Sequence, residues 1–372
     1  MSTKLVLRSS AVVAAALLAA PAFAGPTYTN DNGGSFRWYG QFNPSFQSFD
    51  DGVEDYNRLS DNSSSNSRIG FWVEQAFGQN KLKFHFETAF GFRASDGTDQ
   101  TSKGDVTSWS RTNLRHVDLQ YETANYGTFS AGQGSMASDG ITGADYSGTG
   151  LGANASIADI GGGYLFRDGA GNLTGVSVAD VSATYDGPRL GRIRYDSTNY
   201  GGFTFSASYG TDILKTNNDR ETYDVAVRYN NDELGAFALD AGLAAAWTEE
   251  TGKQDSRDIS GSVAILHKDT GLSFALAAGE RDIAGTYTYA KLGYSADLIA
   301  AGKTSFSVDY YDGSDQVTAG DSSESWGIAA VQKIDRLNLE TYVAYRDYSY
   351  ADTSATTYQD ANVILAGARW KF

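Results

Sequence analysis

The chain has 372 residues, a formal net charge of −16 and no cysteine. An acidic chain lacks the basic surface that phosphate contacts require, which argues against nucleic acid as a partner. Without cysteine there is no disulfide to staple the fold and no thiol to act as nucleophile or metal ligand. The 23 Tyr and 42 Gly beside only 4 Pro favour long paired strands joined by open turns.

The N-terminal segment has the pattern of a cleavable signal peptide. Lys4 and Arg8 precede an apolar stretch at 11–20, and an A-x-A motif of small residues ends the segment at 22–24. We therefore expect a signal peptide over 1–24, whose removal changes the net charge from −16 to −18 because it takes away two basic residues. The apolar stretch is too short to span a membrane as a helix, and no later run reaches about 18 residues without a charged or strongly polar interruption.

Alternation with a period of two begins at residue 36. One face of this first segment carries Phe36, Trp38, Gly40, Phe42, Pro44 and Phe46, and the other carries Arg37, Tyr39, Gln41, Asn43, Ser45 and Gln47. A later segment is more regular, with Leu82, Phe84, Phe86, Phe90 and Phe92 on one face and Lys81, Lys83, His85 and Glu87 on the other. Segments of about ten residues with one apolar and one polar face are typical of strands in membrane barrels.

A soluble β-sandwich is the alternative, because its strands also alternate. The apolar face here is dominated by large aromatic residues, which suit lipid and its interfaces, whereas sandwich cores favour Val, Ile and Leu. Turning the later segment over would place Lys81 and Lys83 in lipid, at a cost of roughly 2–4 kcal/mol each near the midplane. The pattern therefore predicts apolar side chains towards lipid and polar side chains towards a wet lumen.

Sixteen such segments follow one another along the chain. They lie near 35–49, 66–75, 81–92, 111–122, 127–134, 189–198, 202–211, 220–230, 236–248, 256–267, 271–280, 285–296, 303–312, 323–333, 337–350 and 360–372. An even number with alternating short and long connections predicts an all-β, closed antiparallel barrel over 25–372, with both termini in the periplasm. Pro44 interrupts the first strand, since proline cannot donate to a ladder, and we expect a bulge or an early end of pairing there. The connection at about 135–188 is far longer than the others and is expected to be functional.

Several short motifs resemble those of the general bacterial porin family, especially the porins of alphaproteobacteria. They stand in the family's order at 66–71 (NSRIGF), 126–133 (YGTFSAGQ), 193–197 (IRYDS), 202–205 (GFTF) and the C-terminal 369–372 (RWKF). Each motif alone is weak, and their order and spacing carry the resemblance. It implies an outer-membrane channel of a Gram-negative bacterium, surrounded by lipid and lipopolysaccharide, that passes ions and small hydrophilic solutes.

The resemblance also implies a homotrimer and a third outer loop that folds into the lumen as a constriction. Carried over by position, the acidic constriction residues are Asp139, Asp145 and Asp159, and the basic ones on the opposite wall are Arg37, Arg68, Arg192 and Arg194. The terminal Phe372 resembles the signal read by the barrel-assembly machinery. Arg115 shares parity with Val117, Leu119 and Tyr121, which alternation assigns to the lipid face, so it would need a bulge to reach the lumen and is left out of the set.

Other functions are weaker alternatives. A substrate-specific channel would need a lumenal track of aromatic residues, which parity alone does not establish. A barrel hydrolase could use His116 and Asp118 with a nucleophile such as Ser110, but no Gly-x-Ser-x-Gly or His-Glu-x-x-His motif occurs. We expect no enzyme activity and no cofactor. Acidic clusters at 50–51 and 309–315 could hold a structural Ca²⁺, although no calcium-loop pattern is complete.

Overall fold

Sixteen antiparallel strands form one closed sheet in the computed structural model, which describes residues 25, 27–102 and 107–372. The expected signal peptide lies outside the described residues. The strands are β1 (Gly34–Phe42 and Pro44–Asp50), β2 (Arg68–Phe77), β3 (Asn80–Ala89), β4 (Leu114–Thr123), β5 (Gly127–Ser135), β6 (Arg189–Asp196), β7 (Phe203–Thr211), β8 (Glu221–Leu234), β9 (Phe237–Glu249), β10 (Ser256–His267), β11 (Leu272–Arg281), β12 (Thr286–Ile299), β13 (Gly302–Ser314), β14 (Ser322–Ile334), β15 (Leu339–Ala351) and β16 (Ala361–Lys371).

The first and last strands close the barrel. Each strand from β1 to β16 pairs with the next along the chain, and β16 pairs back to β1 through Phe42 and the segment Pro44–Asp50. The backbone N–H of Phe372 donates to Gly40 O at 3.0 Å, and the N–H of Gly40 donates to Phe372 O at 2.9 Å. Closure leaves no open sheet edge in the wall, which is the condition for a sheet to cross lipid.

Side chains alternate across the wall as the sequence predicts. On β7, Phe205 is 52% exposed on the outer surface, whereas its neighbour Ser206 is 6% exposed on the inner one. On β3, Leu82 lies outside while His85 and Glu87 are buried inside. The predicted assignment of faces is therefore confirmed for these strands, and the soluble sandwich is excluded by the closed sheet.

The predicted strands are all present, with differences near the outer loops. Asn43 interrupts β1 just before Pro44, and pairing with β2 ends at Gln41, as expected for a proline that cannot donate. The first outer loop contains a strand that the sequence did not reveal, Asp55–Asp61, which pairs with the second half of β1. Both of its faces are mostly polar, with Tyr56 on one and Leu59 on the other, so alternation gives no continuous apolar face.

Short elements complete the described chain. An N-terminal strand, Thr27–Thr29, pairs with β1, and a small hairpin, Leu165–Arg167 with Leu173–Ser177, lies in the long connection between β5 and β6. Within the residues that the structure describes, no helix has the length and apolar content needed to cross a bilayer.

Candidate functional site

The connection between β5 and β6, residues 136–188, folds into the barrel and is called the inner loop here. Its entry is held by Asp224 on β8. One carboxylate oxygen of Asp224 accepts from the Ser138 backbone N–H at 2.8 Å and from the Ser138 hydroxyl at 2.5 Å. The other accepts from the Ala137 N–H at 3.3 Å and from the hydroxyl of Ser208 on β7. The first turn of the loop is thus fixed to the inner face of the wall.

Further along, the inner loop is held by Lys291 on β12. The buried Lys291 ammonium donates to Asp145 Oδ2 at 2.9 Å and to Ala153 O at 2.6 Å. The phenol of Tyr348 on β15 donates to the carbonyls of Ile157 at 3.0 Å and Ile160 at 2.5 Å. These contacts carry the loop around the inside of the wall towards β15.

The loop and the wall bury a hydrophobic core inside the lumen. The loop contributes Leu151, Ala153, Ala155, Ile157, Ile160, Tyr164, Phe166, Val178, Val181 and Tyr185. The wall contributes Phe49, Ala277, Tyr287, Tyr289, Tyr311, Ala329, Val331, Tyr342, Ala344, Tyr348, Tyr350, Ala361, Val363 and Leu365. Almost all of these wall residues lie on β11–β16, so that side of the barrel is covered by the loop.

The opposite side of the wall, β2–β4, carries charged and aromatic side chains. Among the described residues, no hydrogen bond or ion pair joins the inner loop to β2, β3 or β4. Arg68 and Arg115 flank one carboxylate there, with Arg68 Nε 3.2 Å and Arg115 Nε 2.5 Å from the oxygens of Glu87. This part of the wall therefore carries two guanidinium groups that share one acid.

Arg115 reaches the lumen because of a bulge. Glu87 pairs with His116, but the next residue Thr88 pairs with Leu114, so one residue of β4 is extra. The extra residue lets Arg115 turn inwards on a strand whose simple alternation would point it outwards. Alternation alone cannot detect such an insertion, which explains why sequence analysis left this residue out.

Arg192 and Arg194 lie on the inner face of β6, as alternation predicts. Arg192 is buried against the wall, where Nη2 donates to Asp118 Oδ2 at 2.9 Å and Nε donates to Ser135 O at 3.1 Å. Arg194 Nη2 donates to Asp196 Oδ1 at 2.7 Å, and its Nη1 donates to Met136 O at 2.6 Å. Both arginines thus border the root of the inner loop.

The three acidic candidates have partners other than those expected. Asp139 Oδ2 is 3.2 Å from Arg189 Nη2, whereas Asp145 is bound by Lys291. The carboxylate of Asp159 accepts from Asn154 Nδ2 at 3.1 Å. The loop therefore brings the acids close to the wall, but not against Arg68, Arg192 or Arg194.

Besides Lys291, two further basic residues beside the loop were missed. Arg228 Nη1 and Nη2 donate to the carbonyls of Ala137 at 2.9 Å and Asp139 at 3.0 Å. Arg228 shares parity with Thr222 and Asp224 on β8, so alternation could have found it. Arg189 starts β6 and contacts Asp139 through its side chain, but its position at a strand end gives no parity signal.

The remaining candidates occupy different places. Arg37 lies on the inner face of β1, opposite Trp72 in the register with β2. The ring of Phe372 lies in an aromatic cluster with Trp38, Phe42 and Trp370, at centroid distances of 5.7, 5.7 and 5.1 Å. This cluster is at the seam where β16 meets β1.

Two loop carboxyls titrate unusually. Burial raises the pKa of Asp159 to about 7, and the nearby charge of Asp96 adds to the shift. Burial likewise raises the pKa of Asp186 to about 6, with Asp139 contributing through repulsion. The charge on the inner loop therefore changes across the neutral pH range.

The structure does not bring Ser110 into hydrogen-bond contact with His116, as the hydrolase alternative would require. The hydroxyl of Ser110 bonds Thr112 Oγ1 at 2.7 Å, and its backbone N–H bonds Asn113. His116 Nδ1 has no hydrogen-bond partner within the described part of the chain. The serine is thus not linked to the histidine in the way a nucleophile and its base require.

One aspartate in each acidic cluster considered for calcium is engaged in an ion pair. Asp51 Oδ2 is 2.7 Å from Arg167 Nε, and Asp309 Oδ1 is 2.6 Å from Arg346 Nη2. Bound calcium at these clusters stays a prediction that these contacts do not favour.

Comparison with known proteins identifies the barrel. The family model described as Gram-negative porin matches residues 10–355. Comparison with curated proteins found no match.

Solved structures of outer-membrane barrels are similar in fold. The anion-selective porin from Comamonas acidovorans has a TM-score of 0.57 at 15% identity, covering 91% of this chain and 100% of that one. OmpF of Salmonella typhi, in complex with daunomycin, has a TM-score of 0.58 at 13% identity, covering 92% and 99%. The trimer form of OmpT of Vibrio cholerae has a TM-score of 0.56 at 16% identity, covering 91% and 99%.

The family match, the closed barrel and the loop folded into its lumen agree. They describe a channel of the bacterial outer membrane that passes solutes by passive diffusion. The chain belongs to the Gram-negative porin family.

Proposed function

We propose that solutes cross this porin between the inner loop and the charged wall formed by β1–β6, and that this passage is the constriction. The observation that carries the proposal is the one-sided packing of the loop, whose apolar residues cover β11–β16 and leave the other side uncovered. Opposed charges across a narrow, poorly screened passage create a transverse field, and the sign in excess sets ion preference.

The proposed lining combines Asp139, Asp145 and Asp159 on the loop with Arg37, Arg68, Arg192 and Arg194 on the wall. Arg115, Arg189 and Arg228 join the basic side because of their contacts. Most of these charges are paired, so we expect only a small cation preference. We expect the cation preference to grow as Asp159 and Asp186 lose their protons, because the arginines keep their charge over the same pH range.

The test is the reversal potential of single channels in planar bilayers under a KCl gradient. Replacing the three aspartates by Asn should shift it towards anions, and the pair Arg192→Gln and Arg194→Gln should shift it towards cations. Asp269→Asn, in an exposed turn, is the matched control and should leave it unchanged. If neither set moves the reversal potential, the constriction lies elsewhere.

A general diffusion pore is favoured over a sugar-specific channel. The wall tyrosines that could stack on sugars, among them Tyr287, Tyr311 and Tyr348, are buried beneath the inner loop and do not face the passage. Liposome swelling should therefore fall steadily with solute size and show little preference among sugars of equal mass. Saturable uptake of one sugar would favour the specific channel.

We also propose that the protein is a homotrimer embedded in lipid and lipopolysaccharide, and that 1–24 is removed before insertion. A trimer form is named for one of the similar structures, and the signal-peptide pattern supports the cleavage. Unheated electrophoresis should give a trimer that dissociates on boiling, and N-terminal sequencing should begin at residue 25.

A further inference from the structure

His85 on β3 and His116 and Asp118 on β4 form a cluster on the lumenal wall. His85 stands directly opposite Asp118 in the register, and His116 lies on the same face of β4 two residues earlier. His85 Nδ1 is 3.8 Å from Asp118 Oδ1, and His116 Nδ1 is 3.9 Å from the same oxygen. Of the described residues, these three are the one group of His, Asp and Glu that brings ligand atoms together in this way.

The hydrogen bonds around His85 fix which of its nitrogens carries the proton. The hydroxyl of Tyr39 donates to Glu87 Oε2 at 2.8 Å and is 2.6 Å from His85 Nε2. Because the tyrosine proton is committed to the glutamate, its oxygen accepts from Nε2–H. The lone pair of His85 is then on Nδ1, which faces Asp118.

The two carboxylate oxygens of Asp118 also differ in their hydrogen bonding. Its Oδ2 accepts from Arg192 at 2.9 Å and from Gln120 at 3.1 Å. Its Oδ1 is buried and, among the described atoms, has no donor, and the same is true of His116 Nδ1. His85 Nδ1 and Asp118 Oδ1 thus face each other as two acceptors with no hydrogen between them, and His116 Nδ1 lies beside them without a partner among the described atoms, an arrangement that is costly unless a cation occupies it.

We propose that this cluster is a binding site for a divalent transition metal of the zinc, nickel and copper group, set in the wall of the pore. Tetrahedral ligands about 2.1 Å from a metal are roughly 3.4 Å apart, so the two nitrogen–oxygen distances must contract by about half an ångström, and the two histidine nitrogens, which lie within 4.8 Å of each other, must approach as well. Imidazole nitrogen suits these metals, whereas calcium and magnesium prefer oxygen. Because Arg192 already neutralises Asp118, the two imidazoles decide the affinity, which disfavours the oxygen-seeking ions.

Neighbouring charges and rings support the site. Arg115 shares the carboxylate of Glu87 with Arg68, and Arg189 pairs with Asp139, so these acids offset part of the guanidinium repulsion of a cation. The ring of Trp72 stacks on His85 at 3.7 Å and holds its plane. His116 keeps some exposure, so an ion can enter from the lumen and retain water as a further ligand.

Metal binding is a property separate from the diffusion of solutes through the pore, and it can be measured without a transport assay. Titration of the detergent-solubilised protein with ZnCl2 in a calorimeter should show one site per chain, and CaCl2 should show none at the same concentrations. His85→Gln and His116→Gln should weaken zinc binding about tenfold or more, and Tyr39→Phe should weaken it about tenfold by releasing the orientation of His85. His267→Gln, which alters the third histidine on β10, is the matched control and should bind as wild type.

Planar bilayers give the second readout. Zinc should change the single-channel conductance of the wild type and of His267→Gln, reversibly on addition of EDTA, and should not change that of His116→Gln. Heat-modifiable migration of each variant checks that its barrel is folded. Absence of zinc binding by the wild type, equal binding by the His116→Gln and Tyr39→Phe variants, or equal affinity for calcium would each overturn the site.

Discussion

Replacing Asp224 by Ala should release the entry of the inner loop while leaving the barrel closed. The carboxylate holds two loop backbone N–H groups, of Ala137 and Ser138. Hydrogen bonds to a charged group contribute about 1.5–3 kcal/mol each, and water in the lumen offsets part of the loss. Taking the lower figure for both bonds, docking of this turn weakens by about 3 kcal/mol, roughly a hundredfold in its equilibrium constant.

Single-channel recording in planar bilayers measures this release directly. The wild type should show a steady open level, and Asp224→Ala should show frequent brief transitions as the first turn leaves and rejoins the wall. Thr222→Ala is the matched control, because Thr222 is buried on the same strand and face but its side chain bonds Thr248 of the neighbouring strand and, among the described residues, no residue of the inner loop. Equal current noise in Asp224→Ala and Thr222→Ala channels would refute the anchoring role.

Three further predictions concern pH, stability and assembly. Because the pKa of Asp159 is raised to about 7, cation preference should increase as pH rises through 6–8, and the Asp159→Asn variant should lose most of that step in reversal-potential measurements. The pKa of Asp159 is about 4 in the unfolded chain and about 7 in the folded one. Ionisation of Asp159 therefore destabilises the docked loop progressively as pH rises from about 4 to about 7. Arg346→Met leaves the buried Asp309 carboxylate without its partner, so the barrel should lose about 3–5 kcal/mol and unfold at lower temperature in heat-modifiability assays, and an added Asp309→Asn should restore part of that loss. Deleting Phe372 should reduce the amount of barrel in the outer membrane while inserted channels conduct normally, and unchanged insertion would remove the residue from assembly.

The barrel could be predicted from the sequence because every strand must alternate between lipid and lumen. Neighbouring positions show this alternation: on β7, Phe205 faces outwards and Ser206 inwards, and on β6, Ile193 faces outwards and Arg192 inwards. Strand number and faces follow from repeated local patterns, which need no knowledge of distant contacts. Termini and outer loops are less constrained, and there the strand Asp55–Asp61 was missed.

The lining of the pore was less predictable, since it depends on contacts between distant residues. The resemblance to the porin family predicted that Asp145 lies in the lumen, but it could not predict its partner Lys291, which lies 146 residues away in the sequence. Arg115 enters the lumen only through a bulge, which shifts parity without a sequence signal. Long-range docking of an irregular loop is set by individual hydrogen bonds, and periodicity contains no information about them.

The seam between β1 and β16 has a consequence for how the molecule folds. Other neighbours in the wall are consecutive strands, whereas this seam joins Asp50 to Asn362, 312 residues apart. Pairing over such a separation is slow, because the entropy of closing the chain is lost before the contacts form. Until the last strand is made, the first strand presents a bare edge that invites pairing with other chains. The free edge of β1 therefore has to be kept from pairing with other chains until β16 is made, and the barrel can close only as its last step.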